Sequence, residues 1–393
     1  MIQPLTPIAG GVLGSLLLMA CATPTGVETP PENPIGQILS TDLESGASIP
    51  LNREWEQTTV VENLEHPWGL AWLPDGTMLI TERPGRLRIV RDGVLDPTPV
   101  AGLPEILVLN QGGLLDIAVH PRFEENSLIY FTYSQGTPEA NGVAVGRGEL
   151  RGNSLENVEV IFQAVPLKRG GQHFGSRIVW LPDDTLLVAI GDGGNPPLEL
   201  DGELIRLQAQ NRESHLGKIV RLNDDGSIPG DNPWQGDPDS DPAIWSYGHR
   251  NIQGLAIDSQ RGHVWSTEHG ALGGDELNLI KGGKNYGWPL VTHSREYTGG
   301  QISDRQTHPD MVDPHIVWTP AIAPSGLAVH GGDLFAGGLV SQSVHHIQLN
   351  ESGEVIDQRA IAIGQRVRDV RESPDGHLYV LTDAAPGRLI RLH

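Results

Sequence analysis

The sequence predicts an all-β fold, a six-bladed β-propeller of four-stranded antiparallel blades, and three observations lead to it. Gly (49) and Pro (30) together make about a fifth of the 393 residues, more helix breakers than an α-helical protein tolerates. Charged residues are only 19% and hydrophobic residues 38%, so the chain carries apolar material for a core and too little charge for a disordered polymer. A short strand–turn–strand unit recurs six times at spacings of 43 to 78 residues, which fits blades joined by insertions of unequal length.

Each copy begins with a small or acidic residue and an apolar run, turns at Pro, Asp or Gly, and continues as a β-rich strand. The first is GLAWLPDGTMLITER from Gly69, the second DIAVHPRFEENSLIYFTYS from Asp116, and the third SRIVWLPDDTLLVAIGD from Ser176. The fourth is GLAIDSQRGHVWSTEHG from Gly254, the fifth GLAVHGGDLFAGGLV from Gly326, and the last DVRESPDGHLYVLTD from Asp369. Pro-Asp and Asp-Gly favour tight turns, and the flanks are β-branched or aromatic, so each copy reads as a hairpin. No linker separates the copies after residue 50, which argues for one ring over residues 51–393 rather than a string of sandwiches. The ring is expected to close by pairing a strand near Thr58 to Leu64 with the final strand around Leu389 to Leu392. Loops from all blades converge on the axial face of a propeller, so site residues are expected from several copies.

Ahead of the ring, Ile8 to Ala20 is an apolar run too short to span a bilayer permanently. It ends in Leu18-Met19-Ala20-Cys21 before a Pro/Thr/Glu-rich stretch, and it resembles a bacterial lipoprotein signal. Residues 1–21 are therefore expected to be an export signal and 22–50 a disordered linker. The protein is expected in the periplasm, anchored to the outer membrane by a lipid on Cys21. Cys21 is the only cysteine, so the folded body has no disulfide and no thiolate metal site. Asp and Glu number 49 against 27 Lys and Arg, a formal charge of −22, which argues against nucleic acid and anionic lipid headgroups as partners.

The stretches that carry chemistry lie beside the predicted strands. NQGGLLDIAVHPRF presents Gln111 before a Gly pair, GGQHFGSRIVW places His173 in a Gly-rich loop, and YGHRNIQGLAID puts Arg250 and Asn251 just before a strand. STEHGALGGDELNLIKGGKNYGWP joins Gly-rich backbone to Asp275 and Glu276, and QRVRDVRESPDG holds Arg366 and Arg368 two residues apart, on one face of a strand. In this order, together with GKIVRLNDDGSIPGDNP, these segments resemble the soluble quinoprotein sugar dehydrogenases, the glucose/sorbosone dehydrogenase family that uses pyrroloquinoline quinone (PQQ). The resemblance covers nearly everything from residue 58 onward, and is nearest to the bacterial aldose sugar dehydrogenases.

That resemblance implies oxidation of an aldose at its anomeric carbon, with PQQ and Ca2+ as cofactors and electrons passing on to an unidentified acceptor. PQQ is a flat ortho-quinone with three carboxylates, so an acidic protein needs a local group of guanidinium forks to hold it. Gln111, Arg250, Asn251, Arg366 and Arg368 match the family's cofactor contacts, and His173 matches its general base. An imidazole with an ordinary pKa near 6.5 accepts a hydroxyl proton at neutral pH. Ca2+ takes oxygen ligands. The resemblance assigns it the carbonyls of Gly270 and Ala271 and a water held by Asp275, with Glu276 and the Tyr286 carbonyl at a second, structural calcium. Trp318 matches, within one position, the aromatic that stacks on sugar.

Two positions depart from the family. Ala271 stands where the family has Pro, which a backbone ligand tolerates, and Val340 stands where a Lys usually reaches the cofactor. Loss of that ammonium removes electrostatic help for the quinone. Two other functions therefore stay open: a calcium-dependent lactonase or phosphatase type of propeller hydrolase, and a non-catalytic sugar- or protein-binding propeller.

Overall fold

The computed structural model describes residues 49–393. The expected signal at 1–21 with its Cys21, and all but the last two residues of the expected linker at 22–50, lie outside the described residues. The first strand, β1 (Gln57–Leu64), belongs to the last blade. Blade 1 follows as β2 (Pro67–Trp72), β3 (Met78–Glu82), β4 (Arg86–Arg91) and β5 (Val94–Leu95). Blade 2 is β6 (Leu114–Val119), β7 (Leu128–Thr137), β8 (Ala140–Arg151) and β9 (Ser154–Gln163). Blade 3 takes β10 (Gly175–Trp180) and β11 (Leu186–Ile190), then a long insertion holding the ribbon β12 (Glu199–Leu200) and β13 (Glu203–Leu204), then β14 (Lys218–Leu222) and β15 (Ile244–Tyr247). Blade 4 is β16 (Ile252–Asp258), β17 (His263–Glu268), β18 (Asp275–Ile280) and β19 (Ile316–Trp318). Blade 5 is β20 (Pro324–His330), β21 (Asp333–Gly338), β22 (Ser343–Leu349) and β23 (Val355–Ala362). Blade 6 is β24 (Val367–Glu372), β25 (Leu378–Thr382) and β26 (Gly387–Leu392), completed by β1. The six-bladed propeller read from the repeats is the observed fold, and its closure runs from Gln57 opposite Leu392 to Leu64 opposite Gly387.

Apolar clusters fill the spaces between blades. Leu79, Leu87 and Ile89 of blade 1 meet Ile117, Ile129 and Phe131 of blade 2, and Val61, Leu64 and Leu381 of blade 6 meet Leu70, Ile80 and Val90 of blade 1. Both faces of a sheet are covered in this way, which is why second strands read as unbroken apolar runs such as LLVAI, all buried. Each such side chain contributes about 1.5–3 kcal/mol on burial.

Two features of the inner strands shape the axis. Their pairing with the second strand slips near its start in every blade, for example between Gly175 and Ile178, Ile252 and Gly254, and Val367 and Asp369. A bulge bends a strand and re-aims its side chains, and here it does so at one end of the ring. The small-or-acidic residue that opens each copy also has a steric reason. Blades 2 and 6 place Asp116 and Asp369 there, so a Cβ on Gly69 of blade 1 would come 2.7 Å from Asp116 Oδ1, and one on Gly326 of blade 5 would come 2.0 Å from Asp369 Oδ1. Arg177, only 1% exposed, bridges Asp116 (3.3 Å) and Asp369 (3.1 Å). Arg371 spans the same two carboxylates at 2.7 and 2.9 Å, so a buried ionic quartet ties blades 2, 3 and 6 together beneath the site.

Candidate active site

At the end of the ring where the inner strands begin lies a cavity of about 500 Å³. Gln111, Asn251 and Arg366 line it from the loops before β6, β16 and β24, Arg368 from the start of β24, and Val340 from the loop after β21. Arg83, His66 and Asp383 join them. Asp383 accepts from Arg368 at 2.9 Å, lies 3.5 Å from Arg366 and 3.0 Å from the His66 imidazole, and its carboxyl is held far below the usual carboxylate range by Arg368, against the opposing pull of burial.

His173 lies buried at the wall beside this cavity, in the loop before β10. Its φ of +48° is a left-handed conformation that a non-glycine residue adopts at a cost. The turn is held from three sides. Its N–H donates to Gln111 Oε1 at 2.8 Å, the next-but-one N–H, of Gly175, donates to Asn251 Oδ1 at 3.2 Å, and a Cβ on Gly191 would come 2.1 Å from the His173 carbonyl oxygen. His173 Nδ1 meets Asp192 Oδ1 at 2.7 Å, and Asp192 also accepts from Trp288 Nε1 at 2.8 Å and from the Gly194 N–H at 3.1 Å. With Nδ1–H donated to a carboxylate, Nε2 is left as the acceptor. Burial, and then the charge of Arg250, push the His173 pKa below its ordinary value, so the ring is neutral at pH 7.

Arg250 stands behind this wall, in a smaller adjoining cavity with Gly270, Glu268, Glu276 and Tyr286; His269 lines both cavities. Its guanidinium donates to the His269 and Gly270 carbonyls at 3.0 and 2.5 Å and to Asn195 Oδ1 at 2.6 Å, while its buried Nε has no partner. Gly270 N–H is fixed by Asp275 Oδ1 at 2.8 Å, and Asp275 Oδ2 accepts from the Ile322 and Ala323 N–H groups at 2.8 Å each. Ala271 N–H donates to Ser294 Oγ. Glu276 sits beside Glu268, with Asn278 Nδ2 shared between them at 3.1 and 2.9 Å; burial and the neighbouring carboxylate push the Glu276 pKa well above the usual carboxylate range. Tyr286 stacks on His249 with ring centroids 4.6 Å apart, and its hydroxyl donates to the Leu279 carbonyl. Among the described residues, no group of three or more His, Cys, Asp or Glu is arranged to hold a metal by side chains alone.

The structure thus brings Gln111, Asn251, Arg366 and Arg368 to one cavity, with His173 beside it and Arg250, Gly270, Ala271, Asp275, Glu276 and Tyr286 around the adjoining turn. It does not bring Trp318 there. That indole, expected to stack on sugar, lies opposite Asp275 in the strand register, packs into the core between blades 4 and 5, and donates Nε1–H to Gln358 at 3.0 Å. Its faces are covered by protein, so the expectation is corrected.

Sequence reasoning missed Arg83, Asp192, His269 and Asp383, although a signal for them exists. Each lies one or two residues past the second strand of its blade, as Val340 does, at the ends of the copies ITER, AIGD, TEH and LTD. Read in register, these ends are one loop repeated around the axis.

The ring is thus a propeller whose axial pocket joins a guanidinium-rich wall to a buried histidine–aspartate pair. The chain belongs to the glucose/sorbosone dehydrogenase family: the Glucose / Sorbosone dehydrogenase model matches residues 64–391. Aldose sugar dehydrogenase YliI of Escherichia coli is 37% identical over 350 residues, covering 84% of this chain and 91% of its own. An uncharacterised Synechocystis protein is 58% identical over 356 residues, covering 86% of each. The PQQ-bound aldose sugar dehydrogenase of Streptomyces coelicolor superposes with a TM-score of 0.70 at 29% identity, covering 86% of this chain and 98% of that one. These relatives make the chain a sugar-dehydrogenase-type oxidoreductase of the PQQ-using propeller family.

Proposed function

We propose that the protein oxidises aldose sugars at the anomeric carbon to the lactone, using PQQ and Ca2+. The observation that carries this is that two guanidinium groups, Arg83 at the axial pocket and Arg250 in the adjoining cavity, form no ion pair with a carboxylate among the described residues of a chain with charge −22. Arg250 is buried, and a buried, unpaired guanidinium is costly unless an anion completes it; Arg83 is half-buried, and the partnerless buried Nε atoms of Arg250 and Arg368 fit a polycarboxylate. The donor chemistry also fits a hard cation. Gly270 offers a fixed carbonyl, and the adjacent Glu268–Glu276 pair is a buried carboxylate cluster whose charges a divalent ion would relieve. Arg250, Arg366, Arg368, Gln111 and Asn251 would hold PQQ. The Gly270 and Ala271 carbonyls, with Asp275 fixing their turn, would hold one calcium, and Glu276 with the Tyr286 carbonyl a second.

PQQ supplies the two-electron acceptor for the hydride leaving the sugar, and calcium the Lewis acid that polarises its carbonyl. The chain's own part is proton removal and charge management. Neutral His173 takes the anomeric hydroxyl proton on Nε2, and Asp192 keeps the ring oriented and stabilises the imidazolium that results. Reconstitution with PQQ and Ca2+ followed by sugar-dependent reduction of an artificial dye tests the proposal; loss of turnover without loss of PQQ binding is expected for His173→Ala. A lactonase would need acidic ligands from several blades, whereas the main cavity carries the single carboxylate Asp383 among the described residues. A non-catalytic binding role is favoured only by Val340, 61% exposed at that cavity, and predicts sugar binding with no dye reduction. Export and lipidation at Cys21 belong to the same proposal, and the mass of the mature N-terminus tests them.

A further inference from the structure

We propose that Arg83 is an additional anion-binding residue of the pocket, pairing one PQQ carboxylate and supplying the cation that Val340 does not. The inference rests on the PQQ reading above and extends it to a residue that no motif singles out.

Three arginines line the cavity together with one carboxylate, Asp383. Asp383 is taken up by Arg368 at 2.9 Å, with Arg366 at 3.5 Å and His66 at 3.0 Å, so its charge is already shared by those neighbours. Arg83 forms no ion pair among the described residues and acts on Asp383 only as a longer-range charge, behind Arg368; its one side-chain hydrogen bond is Nη1 to the Asn110 carbonyl at 2.7 Å. Most arginines elsewhere in the ring, such as Arg86, Arg147, Arg221 and Arg261, do have carboxylate partners.

The group is also held in place. Arg83 N–H donates to the His66 carbonyl at 3.0 Å, its own carbonyl accepts from Leu114 at 3.2 Å, and its stem lies so close to Gly113 that a Cβ there would come 2.7 Å from Arg83 Cγ. A tethered guanidinium has less rotamer entropy to lose on meeting an anion, and its fork matches a carboxylate. Position completes the case. Arg83 follows the second strand of blade 1 as Asp192, His269 and Asp383 follow theirs, and Val340 occupies the corresponding loop of blade 5. Both Arg83 and Val340 line the same cavity, so a cation absent from one blade can be replaced from another.

The test is binding, read by quenching of tryptophan fluorescence as PQQ is titrated into the full-length apoprotein with Ca2+. Arg83→Gln should weaken PQQ about 10- to 100-fold, the range for losing one charge-assisted carboxylate contact. PQQ trimethyl ester, which has no carboxylate charge, should bind wild type and Arg83→Gln alike. Adding Val340→Lys to Arg83→Gln should recover at least part of the loss. An unchanged PQQ affinity in Arg83→Gln overturns the inference. An equal loss for the acid and the ester also overturns it, by making Arg83 a strut for the Asn110 loop. Failure of wild type to bind PQQ removes the functional reading, and this inference with it.

Discussion

Replacing Arg177 by Met tests the idea that the buried ionic quartet holds the ring together under the site. The side chain is 1% exposed, lies over the Trp68 ring at 4.1 Å and has four polar partners: Asp116 and Asp369 at 3.3 and 3.1 Å, the Gln253 carbonyl at 2.5 Å and the Arg368 carbonyl at 3.0 Å. Removing one member of a buried ion pair costs about 3–5 kcal/mol. Arg371 still touches both carboxylates, which places the electrostatic part near the lower end. Two buried carbonyls lose their donor, at about 1 kcal/mol each where water does not reach them. Met keeps most of the volume, so the cavity contribution is small. The sum is about 5 kcal/mol. With a urea m-value of about 4 kcal/mol/M for a domain of this size, the midpoint should fall by about 1 M. Urea titration at pH 7, followed by tryptophan fluorescence, measures it. A midpoint within about 0.2 M of wild type would show that Arg371 alone neutralises the axis and that the quartet is not a structural tie. Because Arg177 also holds the Arg368 carbonyl, weaker PQQ binding should accompany the loss of stability.

Two further outcomes are expected. Asp192→Asn removes the charge 2.7 Å from His173 Nδ1 and should lower kcat about 100- to 1,000-fold with little change in KM; dye-reduction kinetics within threefold of wild type would exclude Asp192 from stabilising the imidazolium. The second concerns His269, whose pKa is pushed down to about 3 by burial and then by Arg250, with Nε2–H donated to the Pro324 carbonyl at 2.7 Å. Below pH 6.5 the unfolded chain binds a proton that the folded ring refuses, so stability falls as pH falls between 6.5 and about 3, by about 1.4 kcal/mol per pH unit. His269→Gln keeps a donor for Pro324 and should recover about 2 kcal/mol of the loss between pH 7 and 5; identical pH dependence in urea titrations would refute the assignment.

The fold was legible because its signals are local. The turns at Pro, Asp or Gly, the apolar strand runs and the small-or-acidic opening residue each follow from contacts within one blade or between neighbours, and they recur six times. The pocket was partly legible, since Gln111, Asn251, Arg366 and Arg368 sit where inner strands start, and a strand start is visible in sequence. Trp318 was not, because whether an aromatic faces sugar or core depends on register: opposite Asp275, its indole turns into the space between blades. Arg83, Asp192, His269 and Asp383 were hidden for another reason. They lie far apart in the chain and acquire meaning only when the ring brings the ends of the second strands to one axis.

The polarity of β1 decides which way the molecule faces. Its last residue, Leu64, lies beside Gly387 and leads to His66 at the pocket, whereas Gln57 pairs with Leu392 at the other end, a strand length of about 25 Å away. Before it, Trp55 packs on Phe335 and Ile49 on the turn at Gly331, on that same far side. The described chain therefore begins on the underside of the ring, and the two ends of β1 mark its two faces.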